Sequence, residues 1–148
     1  GESVLFVCIL KGSVHFYSDL TREIDLPLTM DFMSISSYGA GTTSSGEVKM
    51  LKDLDKTING KHVIIVEDII DSGNTLSYLK RLLSSRQPAS IKICTLLDKP
   101  SRRKVDLTPD YCCFTIPDEF VVGYGLDYDE LYRKEKEIYV LDPAVYSE

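Results

Sequence analysis

The sequence predicts an α/β fold with a mostly parallel central sheet flanked by helices. Three features point there. Residues 3–10 (SVLFVCIL), 62–67 (HVIIVE) and 91–97 (IKICTLL) are nearly continuous apolar runs, as in strands buried on both faces. Segments with helical spacing separate them, the pattern of strand–helix–strand crossovers. Polar residues follow the strand-like runs, as at Lys11-Gly12, Glu67-Asp68 and Asp98-Lys99. In open α/β sheets, ligands bind beyond the carboxyl ends of the strands.

Each element has its own signal. Lys11-Gly12-Ser13 breaks the first run. Val14, Tyr17, Leu20 and Ile24 then recur at helical spacing, with Ser13 as the expected cap. Residues 28–36 alternate loosely and read as a second strand. Residues 37–46 (SYGAGTTSSG) are small, polar and glycine-rich, as in a loop, and residues 52–61 form a charged turn with Asn59-Gly60 at its tip. The third strand, 62–67, precedes a helix over 74–85, with Leu76, Leu79, Leu82 and Leu83 on one face before Pro88. After the fourth strand, 91–97, comes a basic turn carrying Lys99, Arg102, Arg103 and Lys104. Further strands are expected around 111–115 and 137–141, with the apolar segment 120–124 between them.

Composition narrows the function classes. The chain has 148 residues, 43% hydrophobic and 27% charged, so it reads as one globular domain over 1–148. With 17 Lys+Arg against 23 Asp+Glu its net charge is −6, which lacks the basic footprint of nucleic-acid binding. The longest apolar run, residues 4–10, is too short to span a bilayer. Cys8 and Cys94 lie in apolar runs, Cys112 and Cys113 are adjacent, and no C-x-x-C spacing occurs. All four are expected to be reduced and buried, which suits the cytoplasm. With only His15 and His62 besides, no zinc site is expected.

The chemistry concentrates in residues 63–76, VIIVEDIIDSGNTL. A buried strand ends in two carboxylates, Glu67 and Asp68. After Ile69 and Ile70 comes Asp71-Ser72-Gly73-Asn74-Thr75, which opens a helix. Gly73 relaxes the turn. Free N–H groups of the first helical turn, with the hydroxyls of Ser72 and Thr75, make an anion site suited to a phosphomonoester. Glu67 and Asp68 would repel a phosphate but suit sugar hydroxyls or a divalent metal. The segment therefore suggests a sugar phosphate. Asp71 also reads as a helix cap. Neither G-x-x-x-x-G-K-[ST] nor a G-x-G-x-x-G after a strand is present, which excludes the P-loop and dinucleotide fingerprints.

VEDIIDSGNT resembles the 5-phosphoribosyl-1-pyrophosphate (PRPP) motif of the type I phosphoribosyltransferases. LKGS at 10–13, SSYGAGTTSSGEVK at 36–49, LLDKPSRR at 96–103 and PDEFVVGYGLDYDELYR at 117–133 resemble segments of the hypoxanthine-guanine members, in wording closest to the bacterial ones. The resemblance runs from about residue 3 to 141. It implies the family's sheet with a small hood and a flexible catalytic loop. The reaction implied is transfer of the phosphoribosyl group of PRPP to N9 of hypoxanthine or guanine, giving IMP or GMP and pyrophosphate.

The resemblance also assigns roles. Asp71 matches the general acid/base near purine N7. Glu67 and Asp68 match the pair that binds the ribose hydroxyls, and Asp71, Ser72, Gly73, Asn74 and Thr75 the loop around the 5-phosphate. Many relatives carry a basic residue where Asn74 stands, so here backbone N–H groups and hydroxyls carry more of that task. Lys11, Gly12, Ser37, Tyr38 and Arg133 match pyrophosphate contacts, and the peptide before Lys11 is expected to be cis. Lys99 matches the donor to purine O6. An ammonium only donates, so it pairs with a 6-oxo group and opposes adenine's amino group. Phe120 matches the aromatic that stacks on the base, Ile69 the opposite wall, and Val121 and Asp127 the edge near the 2-position. Asp127 matches a ligand of Mg²⁺, with Glu67 and Asp68 as candidates for a second Mg²⁺. Residues 36–49 are the expected lid.

The alternative is a PRPP-sensing regulator of the same fold with little catalysis; Lys11, Lys99, Phe120 and Asp127 argue against it. Lys99 with Phe120 and Val121 argues against a transferase for adenine, orotate or uracil. The expected partners are PRPP, the purine, the nucleotide product, pyrophosphate and further copies in a homodimer or homotetramer, with no nucleic acid and no membrane. The family usually places a helical segment before the first strand, so the chain is expected to lack it.

Overall fold

The computed structural model describes residues 3–37 and 48–146. The described residues form eight strands and three helices. They are β1 (Val4–Leu10), α1 (Val14–Glu23), β2 (Leu28–Ser37), β3 (Val48–Lys52), β4 (His62–Ile70), α2 (Asn74–Ser84), β5 (Ser90–Asp98), β6 (Tyr111–Thr115), β7 (Val121–Val122), β8 (Tyr139–Val140) and α3 (Pro143–Tyr146). A single 3-10 turn, Pro100–Arg102, follows β5. Six strands form one sheet in the order β3-β2-β1-β4-β5-β6. All its neighbours are parallel except β3, which runs antiparallel to β2. β7 and β8 pair separately, as a small hood.

Successive strand residues face opposite sides of a sheet, and β1 uses both faces. Leu5, Val7 and Ile9 join Val63, Ile65 and Ile93 in the core that packs Leu76, Leu79 and Leu83 of α2. Phe6 and Cys8 join Val66, Cys94 and Leu96 in the second core, which packs Phe16 and Tyr17 of α1. This two-faced burial is why these strands read as continuous apolar runs. Glu67 and Asp68 follow on β4, between Val66 of the second core and Ile70 of the first.

Several expectations change. β4 extends to Ile70, so Glu67 and Asp68 lie inside the strand rather than at its end. Pairing with β5 continues through Ile69↔Leu97 and Ile70↔Asp98 and holds the extension. β3 is a strand that the loop and turn reading passed over. Ser13 holds the N-cap of α1 but makes no side-chain cap bond: its Oγ donates back to the carbonyl of Ile9 at 2.7 Å. Asp71 is not the cap of α2, since Gly73, at φ +84°, holds that position. Cys8 and Cys94 are buried, but Cys112 and Cys113 are exposed on the edge strand β6; all four are free. Of the expected lid, residues 38–47 lie outside the described residues.

Candidate active site

The carboxyl ends of β1, β4 and β5 converge. The loop from β4 to α2 is the centre. Gly73 takes a left-handed conformation that lets the chain turn sharply into α2. The Ser72 Oγ accepts the Asn74 N–H at 3.2 Å, and the first-turn N–H groups face outward as helix starts do. Glu67, Ile69, Ile70, Asp71, Ser72, Gly73, Thr75 and Leu76 line a cavity of about 150 Å³. The expected phosphate loop, Glu67 and Ile69 therefore share one concavity.

The second carboxylate, Asp68, lies against Glu67 and also against the loop after β1. A Cβ on Gly12 would overlap Asp68 Oδ2, so a larger residue there would require the Asp68 carboxylate to move. The peptide between Leu10 and Lys11 is cis, as expected from the resemblance. Burial pushes the carboxyls of both Glu67 and Asp68 above the ordinary range. For Glu67 the neighbouring Asp68 charge adds to the rise.

Lys99 leaves the end of β5 and is 7% exposed. Its Nζ stands 3.6 Å from Asp71 Oδ1 and 3.7 Å from Asp118 Oδ1. An ammonium this deep needs charge partners, and it has two. Lys99 thus meets the aspartate at the mouth of the phosphate loop. Asp118, which no sequence motif flagged, also pairs with Arg102 at 3.3 Å. Two residues on, Phe120 is partly exposed and meets Tyr128 edge to face at 5.9 Å, and Val121 is half-buried in β7.

The expected pyrophosphate contacts form a separate group above the end of β1. Lys11 Nζ pairs with Glu130 Oε2 at 3.3 Å. Arg133 reaches Asp127 Oδ1 and Glu130 Oε2, each at 3.4 Å, and donates to the carbonyl of Gly125 at 2.7 Å. Asp127 Oδ2 accepts the N–H of Glu130 at 2.9 Å. Gly125, at φ +104°, crosses the loop after β1 so closely that a Cβ would lie 2.1 Å from the carbonyl oxygen of Gly12. Glu130 and Gly125 went unmarked in the sequence. Glu130 reads there as one charge in a charged run, and Gly125 as one glycine in a turn. Ser37 ends β2, and Tyr38 lies outside the described residues.

Residues 1–129 match the model of the phosphoribosyl transferase domain. The hypoxanthine-guanine phosphoribosyltransferase of Bacillus subtilis is 58% identical over 96% of this chain and 79% of its own length. The chain belongs to the hypoxanthine-guanine phosphoribosyltransferase family. The corresponding protein of Streptococcus thermophilus is 52% identical over 99% of this chain and 82% of its own length. A crystal structure of a hypoxanthine phosphoribosyltransferase from Staphylococcus aureus superposes with a TM-score of 0.96 at 53% identity, covering 100% of this chain and 80% of that one. The fold is that of the type I phosphoribosyltransferases, and the chain is an enzyme of purine salvage that transfers a phosphoribosyl group. Among the described residues no helix is long and apolar enough to cross a membrane.

Proposed function

We propose that the enzyme transfers the 5-phosphoribosyl group of PRPP to N9 of hypoxanthine or guanine, releasing pyrophosphate and giving IMP or GMP. The observation that carries this reading is the 3.6 Å meeting of Lys99 and Asp71 at the mouth of the phosphate loop. Lys99 donates to the 6-oxo group of the purine. Adenine would set an amino donor against this donor-only side chain. A buried polar group left unpaired by the wrong analogue discriminates by about 10⁴ or more. Asp71, half-exposed beside it, accepts or returns the proton at purine N7. Phe120 stacks on the base against Ile69, while Val121 and Asp127 border its 2-position.

The 5-phosphate takes the N–H groups of the loop from Asp71 to Thr75 with the hydroxyls of Ser72 and Thr75. Glu67 and Asp68 accept the ribose hydroxyls. Lys11, Gly12 and Arg133 receive the pyrophosphate, with Ser37 and Tyr38 closing over it, and the charges of Lys11 and Arg133 stabilise the leaving group. The donor set suits Mg²⁺. Asp127, Glu67 and Asp68 offer hard oxygen ligands at separate points, and no described cluster forms an all-protein cage. Mg²⁺ is commonly held by one or two carboxylates plus substrate phosphates and water. The ion would neutralise charge on the departing pyrophosphate. The four free thiols fit a reducing compartment, the cytoplasm.

The test is direct. With PRPP, Mg²⁺ and hypoxanthine or guanine, the enzyme yields the nucleotide and pyrophosphate in equal amounts, and a chelator abolishes turnover. PRPP binding without product would favour the sensor alternative, and full turnover in the chelator would overturn the role of the metal.

A further inference from the structure

The connection from β5 to β6 holds the phosphate loop at three successive carbonyls. The N–H of Lys99 donates to Ile70 at 3.0 Å, and the N–H of Lys104 donates to Ser72 at 2.9 Å. Between them, the carbonyl of Asp71 accepts from Arg103 Nη1 at 2.9 Å. The outer two bonds come from backbone and need no particular side chain. The middle one, on Asp71 itself, depends entirely on Arg103.

Arg103 is built for a fixed position. Its Nε donates to the carbonyl of Leu107 at 2.8 Å, and its Nη2 meets Asp98 Oδ1 at 2.5 Å. The two side chains are 14% and 10% exposed, so this is a largely buried pair. The Arg103 stem packs on the turn: a Cβ on Gly73 would lie 3.1 Å from Arg103 Cδ. All three guanidinium nitrogens are therefore engaged, on the end of β5, the phosphate loop and the connection itself. A planar fork of this kind is pre-organised in a way that lysine's point charge is not. Its sequence neighbour, Arg102, is 54% exposed and pairs, among the described residues, with Asp118.

Asp71 needs such support. It lies one residue beyond the end of β4, its side chain is 48% exposed, and its contact with Lys99 is longer than a hydrogen bond. Packing does not fix it. We infer that Arg103 is a positioning residue that locks the peptide of Asp71, and so holds its carboxylate in register with Lys99. The inference rests on the reading that Asp71 moves the proton at the purine.

The experiment is a double-mutant cycle in steady-state turnover. A misplacement of about 1 Å costs roughly 10²-fold, so Arg103→Gln is expected to lower kcat about 10- to 100-fold, with the KM for hypoxanthine within about 3-fold. Arg103→Lys retains part of the activity, because an ammonium reaches some of these acceptors but cannot span all of them. Arg102→Gln leaves kcat within about 3-fold, as a surface pair contributes little. In the Asp71→Asn background the Arg103→Gln loss shrinks to less than about 3-fold, since residues acting through one group are non-additive. An unchanged kcat in Arg103→Gln would overturn the inference. So would an equal loss in both backgrounds, or a loss confined to the KM for hypoxanthine. Asp71→Asn turning over normally would instead strike the underlying reading, before Arg103 enters. If Arg103→Gln fails to fold because Asp98 is stranded, Asp98→Asn with Arg103→Gln, and Arg103→Lys, run through the same cycle.

Discussion

The floor of the site and its rim are held in opposite ways. On the floor, the side chains of Lys99, Asp98 and Arg103 are only 9%, 10% and 14% exposed, and every bond runs between regular elements or the loops leaving them. On the rim, Lys11 and Glu130 are 67% and 65% exposed and pair only through long side chains. The rim backbone is also unusual, with left-handed conformations at Tyr124, Asp129, Glu130 and Tyr132. The difference fits the chemistry proposed for each region. Recognising a 6-oxo group and moving a proton need groups held in fixed geometry. Receiving pyrophosphate needs cations that can exchange partners. Arg133 and Lys11 hold the carboxyl of Glu130 below the ordinary range. Exposed ion pairs contribute little to stability, so an incoming polyanion displaces this one at small cost.

Substitutions on the floor should therefore be severe, and those on the rim mild. The largest effect is expected from Asp71→Asn, which removes the proton acceptor and lowers kcat about 10²- to 10⁴-fold. Its KM for PRPP should change little, because in the proposed site N–H groups and hydroxyls hold the phosphate; steady-state titration of both substrates checks the split. Lys99→Ala comes next. It should raise the KM for hypoxanthine about 10²-fold through loss of a charge-assisted hydrogen bond, with the KM for PRPP much less affected. Equal weakening of both would remove Lys99 from base recognition.

Between floor and rim sit Glu67 and Asp68, and their effect is on stability. A carboxyl held above its unfolded pKa binds its proton more tightly in the native state. The stability it contributes is present at low pH and lost as pH climbs through the ordinary carboxylate range into the raised one. Glu67→Gln should therefore raise the melting temperature of the unliganded enzyme at pH 8, by roughly 2–4 °C for each kcal/mol relieved in a chain of this length. The gain should fade toward pH 5; a gain independent of pH would contradict it. The smallest effect belongs to the rim. Glu130→Gln frees Lys11 and Arg133, so the KM for PRPP should fall by about 3-fold at most, and less at high salt.

The same contrast governs what the sequence made legible. Strands and helices of the floor were readable because burial on two faces leaves continuous apolar runs, and a crossover helix leaves leucines at helical spacing. The turn from β4 into α2 was readable because a glycine among small polar residues, Ser72-Gly73-Asn74-Thr75, marks a sharp helix start. Misreadings arose where a side chain did something its type does not announce. Glu67 and Asp68 looked like a strand end, yet pairing with β5 carries β4 past them. Ser13 stood at a cap position but turned its hydroxyl back to Ile9. β3 was hidden because only Val48, Met50 and Lys52 are half-buried, on an antiparallel edge. Arg102 and Arg103 are indistinguishable as letters in a basic turn; only the fold makes one a surface charge and the other a buried clamp.

The central claim is that a buried lysine beside Asp71 makes this a 6-oxopurine enzyme. The most direct measurement is kcat/KM for hypoxanthine and for adenine, each with saturating PRPP and Mg²⁺. The account predicts that hypoxanthine is preferred by about 10⁴-fold or more, and that Lys99→Ala loses most of that preference. Comparable rates for the two bases, or a preference that survives Lys99→Ala, would contradict it.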